Sequence, residues 1–109
     1  WDLSFPAALK VYLEWASMLG LTFRYTQEGQ QVGMSRAQEL VYLTTAGGPI
    51  EGQNYGFDYV KGLGRMLGIP KARCLAAEGL DIQGNDPEMI LRKAQKQAEQ
   101  LAAALQPAP

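Results

Sequence analysis

A short run of hydroxyl and glycine residues, Thr44 to Gly48, directly follows an apolar segment, Leu40 to Leu43. A continuous apolar run bounded by turn residues is typical of a strand buried on both faces of a parallel sheet. Ligands of open α/β sheets bind at the carboxyl ends of such strands. Small residues there let backbone N–H groups approach an anion or a heteroaromatic ring. Residues 44–48 are therefore the first candidate site, although a turn without a function explains a glycine pair equally well.

The composition excludes several kinds of chemistry. The 109 residues include no histidine and one cysteine, Cys74, so the chain alone offers no catalytic triad, zinc site or disulfide framework. We assign no catalytic side chain and no metal ligand, and interpret Cys74 as a buried small apolar residue. A net charge of −1 argues against nucleic acid or a membrane surface as partner. No apolar run could span a bilayer and no signal peptide is evident, so we expect a cytoplasmic protein.

Periodicity predicts three helices and two buried strands. The first helix is expected at about 6–19 and is ended by Gly20. The second is expected from about 55 or 57 to 67 with Asn54 as its cap, and the third from an acidic cap at Asp86 onward. The strands are expected at 40–43 and 73–78. Strand, loop, helix and strand in that order form a crossover unit, which should be parallel and right-handed. The expected fold class is α/β with a thin core, because 109 residues make at most one small domain.

Two further segments suggest contacts outside the crossover unit. The first predicted helix carries apolar residues on two stripes, with Lys10, Glu14 and Ser17 as a narrow polar strip. Its second stripe requires a partner, either a second copy of the chain or the remainder of the same domain. The extended segment 21–26 places Phe23 and Tyr25 on one side, where they could flank a flat ligand or form a small hydrophobic cluster.

The sequence is also expected to be a fragment. It begins with Trp1 rather than Met and offers only two convincing buried strands, fewer than a parallel sheet covered on both faces normally has. We therefore expect residues 1–105 to form part of a domain whose amino-terminal half lies elsewhere, and residues 106–109 to be a disordered tail.

Five short motifs, taken together, resemble one known family. Residues 1–10, Trp-Asp-Leu-Ser-Phe-Pro-Ala-Ala-Leu-Lys, resemble the Tyr-Asn-Phe-x-x-Pro-x-x-Leu-Lys loop and helix start of the FMN-dependent NADH azoreductases. Residues 20–26 are similar to that family's Gly-x-Thr-Phe-x-Tyr-Thr, and residues 44–48 to its Thr-Ser-Arg-Gly-Gly turn. Residues 59–69 are similar to its Tyr-Leu-x-x-x-Leu-x-x-x-Gly-Ile helix, and residues 77–79 to its Ala-Glu-Gly. The motifs occur in the family's order over nearly the whole chain.

The resemblance implies the carboxyl-terminal half of a flavodoxin-like three-layer sandwich, with two strands of the parallel sheet and three helices present. It implies a homodimer that binds FMN at the carboxyl edge of the sheet. It also implies hydride transfer from NADH or NADPH through the flavin to a quinone or an azo compound, which are flat aromatic acceptors. Such chemistry belongs to the cofactor, so it needs neither histidine nor a triad.

The resemblance also assigns roles to individual residues. Those implied to bind the cofactor are Trp1, Asp2, Leu3, Thr45, Gly47 and Gly48, and those implied to line the substrate pocket are Tyr25 and Met66. The sequence departs from the family at three positions: Asp2 replaces an amide, Ala46 an arginine and Met66 an aromatic residue. These departures affect acceptor range and nicotinamide preference more than flavin binding.

Two other functions remain open. One is a non-enzymatic flavodoxin-type electron carrier, and the other is a truncated structural remnant. The family's phosphate-binding loop precedes the position of Trp1, so the 109 residues alone are expected to bind FMN weakly and to be inactive.

Overall fold

The computed structural model describes residues 3–105, so the tail predicted at 106–109 lies outside the described residues, as do Trp1 and Asp2. The helices and strands within the described range are α1 (Ala7–Ala16), β1 (Phe23–Tyr25), β2 (Gln31–Gly33), β3 (Glu39–Thr45), α2 (Tyr55–Leu67), β4 (Lys71–Ala77) and α3 (Pro87–Ala104). The three predicted helices and the two predicted crossover strands are confirmed.

The strands β3 and β4 pair in parallel, and α2 lies between them in the chain. This is the crossover unit that the apolar patterns predict, and it confirms the α/β fold class. Burial is lighter than the sequence suggested, because in β3 only Tyr42 is buried and Leu43 remains 62% exposed. The faces of this sheet therefore expose apolar surface.

The helices α2 and α3 begin at the predicted capping residues. The Asn54 side chain accepts a hydrogen bond from the N–H of Phe57 at 3.2 Å. The Asp86 carboxylate accepts from Glu88 and Met89 at 3.1 and 3.4 Å, with Pro87 in the first turn. Each cap satisfies N–H groups that the helix leaves without partners, which fixes where the helix starts.

The antiparallel hairpin formed by β1 and β2 is only partly predicted by the sequence. Phe23 pairs with Gly33 and Tyr25 with Gln31, so the extended segment expected at 21–26 has a strand partner that the pattern did not reveal. The rings of Phe23 and Tyr25 meet edge to face with their centroids 5.9 Å apart, which confirms that they lie on one side.

Helix α1 ends at Ala16, three residues earlier than predicted. The hydroxyl of Thr22 donates to the carbonyl of Ala16 at 2.8 Å and accepts from the N–H of Met18 at 3.0 Å. A side chain that supplies both bonds offers the backbone an alternative to another helical turn. The chain therefore leaves the helix before the glycine that the sequence marked as its end.

The described residues divide into two compact units. One comprises residues 3–42 and 52–73, and the other comprises 43–51 and 74–105. In the first unit an aromatic cluster holds α2 against the start of β3: Tyr42 lies 6.4 Å from Phe5 and 6.1 Å from Phe57, centroid to centroid. Gly56 lies beneath the Tyr42 hydroxyl, where a Cβ atom would collide with it. In the second unit, Ala77 at the end of β4 is buried.

The helix α2 contains two interior glycines, Gly62 and Gly64, whose cost to the helix predicts close packing against the sheet. Gly64 is buried, and a Cβ there would lie 3.4 Å from Cδ1 of Leu40. Gly62 is exposed with nothing within 4 Å of such a Cβ, so the expectation is wrong for this residue. Close packing therefore explains one of the two residues that weaken this helix.

Candidate functional site

The loop that follows β3 is tied to the loop that follows β4 by backbone hydrogen bonds. The N–H of Ala46 donates to the carbonyl of Ala77 at 2.8 Å, and the N–H of Leu80 donates to the carbonyl of Ala46 at 3.2 Å. The pairing continues where Asp81 donates to Gly47 at 2.8 Å. The two loops therefore extend the strand ladder past the ends of the strands, which holds residues 46–48 in a defined conformation.

The outer part of this loop leaves backbone donors open. Within residues 3–105, the N–H groups of Gly47 and Gly48 donate to no protein acceptor. The space beside Gly48 is also open, since a Cβ there would meet nothing within 4 Å, and Thr45 is exposed. Two free N–H groups on a restrained loop can stabilise negative charge or bond to the carbonyl edge of a ring. The predicted residues Thr45, Gly47 and Gly48 thus lie on a loop with open backbone donors, and their role in cofactor binding stays a prediction.

Two carboxylates that sequence reasoning did not assign to the site help to fix this loop. The Glu78 side chain accepts from the N–H of Ile50 at 2.8 Å, and the Asp81 side chain occupies the space that a Cβ at Gly47 would need. The sequence marks Glu78 only as the middle residue of the Ala-Glu-Gly motif at 77–79, without a role in the site. The position of Asp81 could have been suspected, because it follows the neighbouring parallel strand and the carboxyl ends of parallel strands meet at one edge.

Gly47 and Gly48 provide a matched pair of substitutions. Gly47→Ala is expected to lower the free energy of unfolding by about 1 kcal/mol, because the new methyl group displaces the Asp81 carboxylate. Gly48→Ala meets open space and should change stability by less than about 0.5 kcal/mol. Urea unfolding of both variants measures the difference.

A double-mutant cycle identifies the cause. Adding Asp81→Ala to Gly47→Ala should recover most of the lost stability, since the collision is with that side chain. Equal costs for the two glycine variants, or strictly additive effects of the Gly47 and Asp81 changes, would show that the contact is absent.

Only one residue of the other predicted cofactor loop is described. Leu3 has a φ of 68° and is 60% exposed, while Trp1 and Asp2 lie outside the described residues. A leucine in the left-handed region costs roughly 1–2 kcal/mol, so such a conformation persists only where its surroundings enforce it. The assignment of these three residues to cofactor binding stays a prediction.

A groove of about 650 Å³ lies between α1 and α2 in the first unit. Its lining residues are Glu14, Ser17, Asp58, Tyr59, Gly62, Leu63 and Met66. The predicted substrate residue Met66 is thus in a cavity, whereas Tyr25 is not among the lining residues and packs on Phe23. Part of the polar strip of α1 faces this groove, which the sequence did not indicate.

The side chain of Lys10, beside this groove, has a raised pKa. Nζ of Lys10 lies 2.7 Å from the Glu14 carboxylate and 5.2 Å from the centre of the Tyr59 ring. The hydrogen bond that Lys10 donates to Glu14 raises the pKa of Lys10 above its ordinary value, and the interaction with Tyr59 adds to the effect. Lys10 therefore keeps its charge through neutral pH and offsets that of Glu14, whereas Asp58 forms no ion pair within the described residues.

No group of three or more histidine, cysteine, aspartate or glutamate side chains in residues 3–105 is arranged to hold a metal ion. None of the helices α1 to α3 combines the length and the apolar character that crossing a membrane requires.

Comparison with known proteins now identifies the family. A family model described as a flavodoxin-like fold matches residues 1–102. The chain belongs to the flavodoxin-like family. Two curated relatives in this family are the FMN-dependent NADH:quinone oxidoreductase 2 of Clostridium acetobutylicum, 37% identical over 107 residues, and the FMN-dependent NADH:quinone oxidoreductase of Coprothermobacter proteolyticus, 36% identical over 107 residues. Each match covers 94% of this chain and 53% of the relative.

Solved structures confirm the flavodoxin-like fold. An FMN-dependent NADH-azoreductase from Bacillus anthracis, solved in complex with FMN, matches with a TM-score of 0.82 and 26% identity over 96% of this chain. Another solved structure of an azoreductase from that species matches with a TM-score of 0.79, and 51% of each of these two chains is covered. The chain thus spans about half the length of the curated relatives and of the solved structures it matches. The resemblance inferred from five short motifs is confirmed.

Proposed function

We propose that this chain is the carboxyl-terminal half of an FMN-dependent oxidoreductase that carries hydride from NADH or NADPH to quinones or azo compounds. The observation that carries the proposal is the restrained loop after β3, where the N–H groups of Gly47 and Gly48 have no acceptor among residues 3–105. Relatives support the proposal, because two curated proteins that are 36–37% identical to this chain are named FMN-dependent NADH:quinone oxidoreductases.

The residues of this loop fit a flavin. When bound, FMN supplies the hydride chemistry, and the protein has only to bind, orient and polarise it. The N–H groups of Gly47 and Gly48 would donate to the polar edge of the ring and stabilise the negative charge that reduction places there. Thr45, exposed at the end of β3, offers a hydroxyl on the same loop. Trp1, Asp2 and Leu3 are proposed as the other cofactor loop.

The groove between α1 and α2 is proposed to contribute to the acceptor site. Tyr59, Leu63 and Met66 supply apolar and polarisable surface, and exposed Gly62 leaves room beside them. A methionine adapts to flat ligands of different shape better than a fixed aromatic ring does. This composition fits a binding site for flat aromatic acceptors, and Tyr25 is proposed to reach the acceptor from a different part of the first unit.

The outer face of α1 is proposed to form a homodimer contact. None of the residues of α1 is buried, and Trp15 is 76% exposed beside Val11 and Tyr12. An apolar patch of this kind on a helix is typical of an interface between subunits. We also propose that the protein acts in the cytoplasm, because its proposed electron donor, NADH, is an intracellular metabolite.

Trp15→Glu tests the proposed dimer contact. A charge at the centre of an apolar interface has to be desolvated, so the dissociation constant of the dimer should rise at least about 100-fold. Sedimentation velocity of the full-length protein over a range of concentrations measures it, with Glu99→Gln on α3 as a control expected to behave like the wild type. A Trp15→Glu protein that remains as dimeric as the wild type would contradict the contact.

A flavin titration of the full-length protein tests the proposed function. We expect about one FMN per subunit, seen as a shift of the flavin absorbance, followed by NADH oxidation that depends on an added quinone. A protein that takes up no FMN would contradict the proposal. FMN binding without nicotinamide-dependent turnover would instead identify an electron carrier.

A further inference from the structure

We infer that Asp81 lowers the reduction potential of the flavin bound at the Gly47–Gly48 loop. The inference rests on the proposed function, because it assumes that this loop holds the ring. It concerns a residue that the five family motifs do not include and that neither packs in the core nor caps a helix. Its evidence is the position of one side chain and the charge around it.

The Asp81 side chain is held against the loop from two directions. Its backbone N–H donates to the carbonyl of Gly47 at 2.8 Å, and its carboxylate fills the place of the missing Cβ at Gly47. Further along the same loop, the N–H of Gly79 donates to Gly48 at 3.1 Å, and the Asn85 amide donates back to the carbonyl of Gly79 at 3.0 Å. The carboxylate therefore lies next to the residue whose N–H is proposed to contact the ring.

Within residues 3–105, no ion pair balances the charge of this carboxylate. The ion pairs within residues 3–105 are Lys10 with Glu14, Arg73 with Glu39 and Arg92 with Glu88. Neither Asp81 nor Glu78, which bonds to Ile50 on the same loop, takes part in one. Position 46 is alanine, so the loop itself contributes no positive charge. A flavin bound here would meet two negative charges.

Negative charge at this place acts on the reduced form of the ring. Hydride transfer breaks a C–H bond of the nicotinamide and adds two electrons and one proton to the flavin, so the ring gains one negative charge while the nicotinamide becomes cationic. A carboxylate a few ångströms away disfavours that charge. It follows that Asp81 weakens binding of reduced FMN relative to oxidised FMN, which makes the bound reduced flavin a stronger donor.

The test compares charge-removing and charge-keeping variants of the full-length flavoprotein. Asp81→Asn keeps the shape of the side chain and should raise the midpoint potential, equivalent to a gain on the order of tenfold in the affinity for reduced over oxidised FMN. Asp81→Glu should remain near the wild-type value. Glu99→Gln removes one carboxylate from the exposed face of α3, about 18 Å along that helix from its start, and should leave the potential unchanged.

Salt dependence gives a second measurement that needs no stable variant. If the carboxylate acts through its charge, raising the ionic strength should raise the wild-type midpoint potential. A potential that is independent of salt would overturn the inference, as would equal potentials for Asp81→Asn and the wild type. A wild-type protein that binds no FMN would instead overturn the proposed function, so the two failures are distinguishable.

Discussion

Gly33→Ala is expected to lower the free energy of unfolding by about 3 kcal/mol, the largest effect of a single methyl group that the described residues predict. Gly33 ends β2 and lies directly against the carboxyl end of α2. A Cβ there would collide with the backbone nitrogen and Cα of Gly68 and with the carbonyl carbon of Leu67. The obstacle is backbone rather than a flexible side chain, so the strain cannot be relieved by a rotamer change.

The surroundings of Gly33 make relaxation still harder. Gly68 caps α2 in the left-handed conformation with a φ of 88°, and its N–H donates to Arg65 at 3.1 Å. The N–H of Ser35 donates to the carbonyl of Leu67 at 2.9 Å, which ties the end of β2 to the same turn. Moving the hairpin away from α2 would break that hydrogen bond, and moving the turn would disturb the cap.

Gly62→Ala is the control for this prediction. It adds the same methyl group to α2 where nothing lies within 4 Å, so it should raise stability by about 0.5–1 kcal/mol through helix propensity. Urea unfolding of the full-length protein should move the two midpoints in opposite directions. A Gly33→Ala protein as stable as the wild type would mean that the hairpin does not pack on α2.

Arg73→Leu is expected to lower the free energy of unfolding by about 2 kcal/mol, because it leaves the carboxylate of Glu39 without its cation. Glu39 begins β3 and its side chain is only 12% exposed, whereas that of Arg73 in β4 is 47% exposed. Nε of Arg73 contacts Oε1 of Glu39, an oxygen that is buried from solvent. The ion pair thus joins the two parallel strands near the start of β3.

The difference in exposure predicts unequal effects for the two partners. Glu39→Leu should cost less than about 1 kcal/mol, because the half-exposed guanidinium can turn to water. The double variant should be more stable than Arg73→Leu alone, since no buried charge is then left unpaired. Chemical unfolding of the three variants provides the comparison, and equal costs for the two single changes would contradict the unequal burial.

Local signals explain which elements the sequence could predict. Asn54 and Asp86 cap α2 and α3 as expected, because a cap bonds to N–H groups only two or three residues away. The signal for β3 is also local, because four consecutive apolar residues followed by turn residues are enough to predict a buried strand. The strand β2, by contrast, is three residues long and is recognised only through its pairing with β1.

The candidate site was predictable only in part. The loop at Thr45, Gly47 and Gly48 follows from chain order, because polar and small residues come directly after an apolar strand. The contact between Gly47 and Asp81 joins positions 34 residues apart in the sequence and depends on the parallel pairing of two strands. The early end of α1 depends on a hydrogen bond from the hydroxyl of Thr22, and the apolar periodicity of the helix gives no sign of that bond.

The ladder between the loops after β3 and β4 also bears on how this site could diverge among related proteins. Since Ala46, Gly47 and Gly48 each bond to the segment 77–81, an insertion or substitution in that second segment alters the first without changing its residues. Relatives with identical glycine turns can therefore present different loop shapes and different charge to the same cofactor. Related proteins that use the cofactor differently need not differ at the residues that contact it.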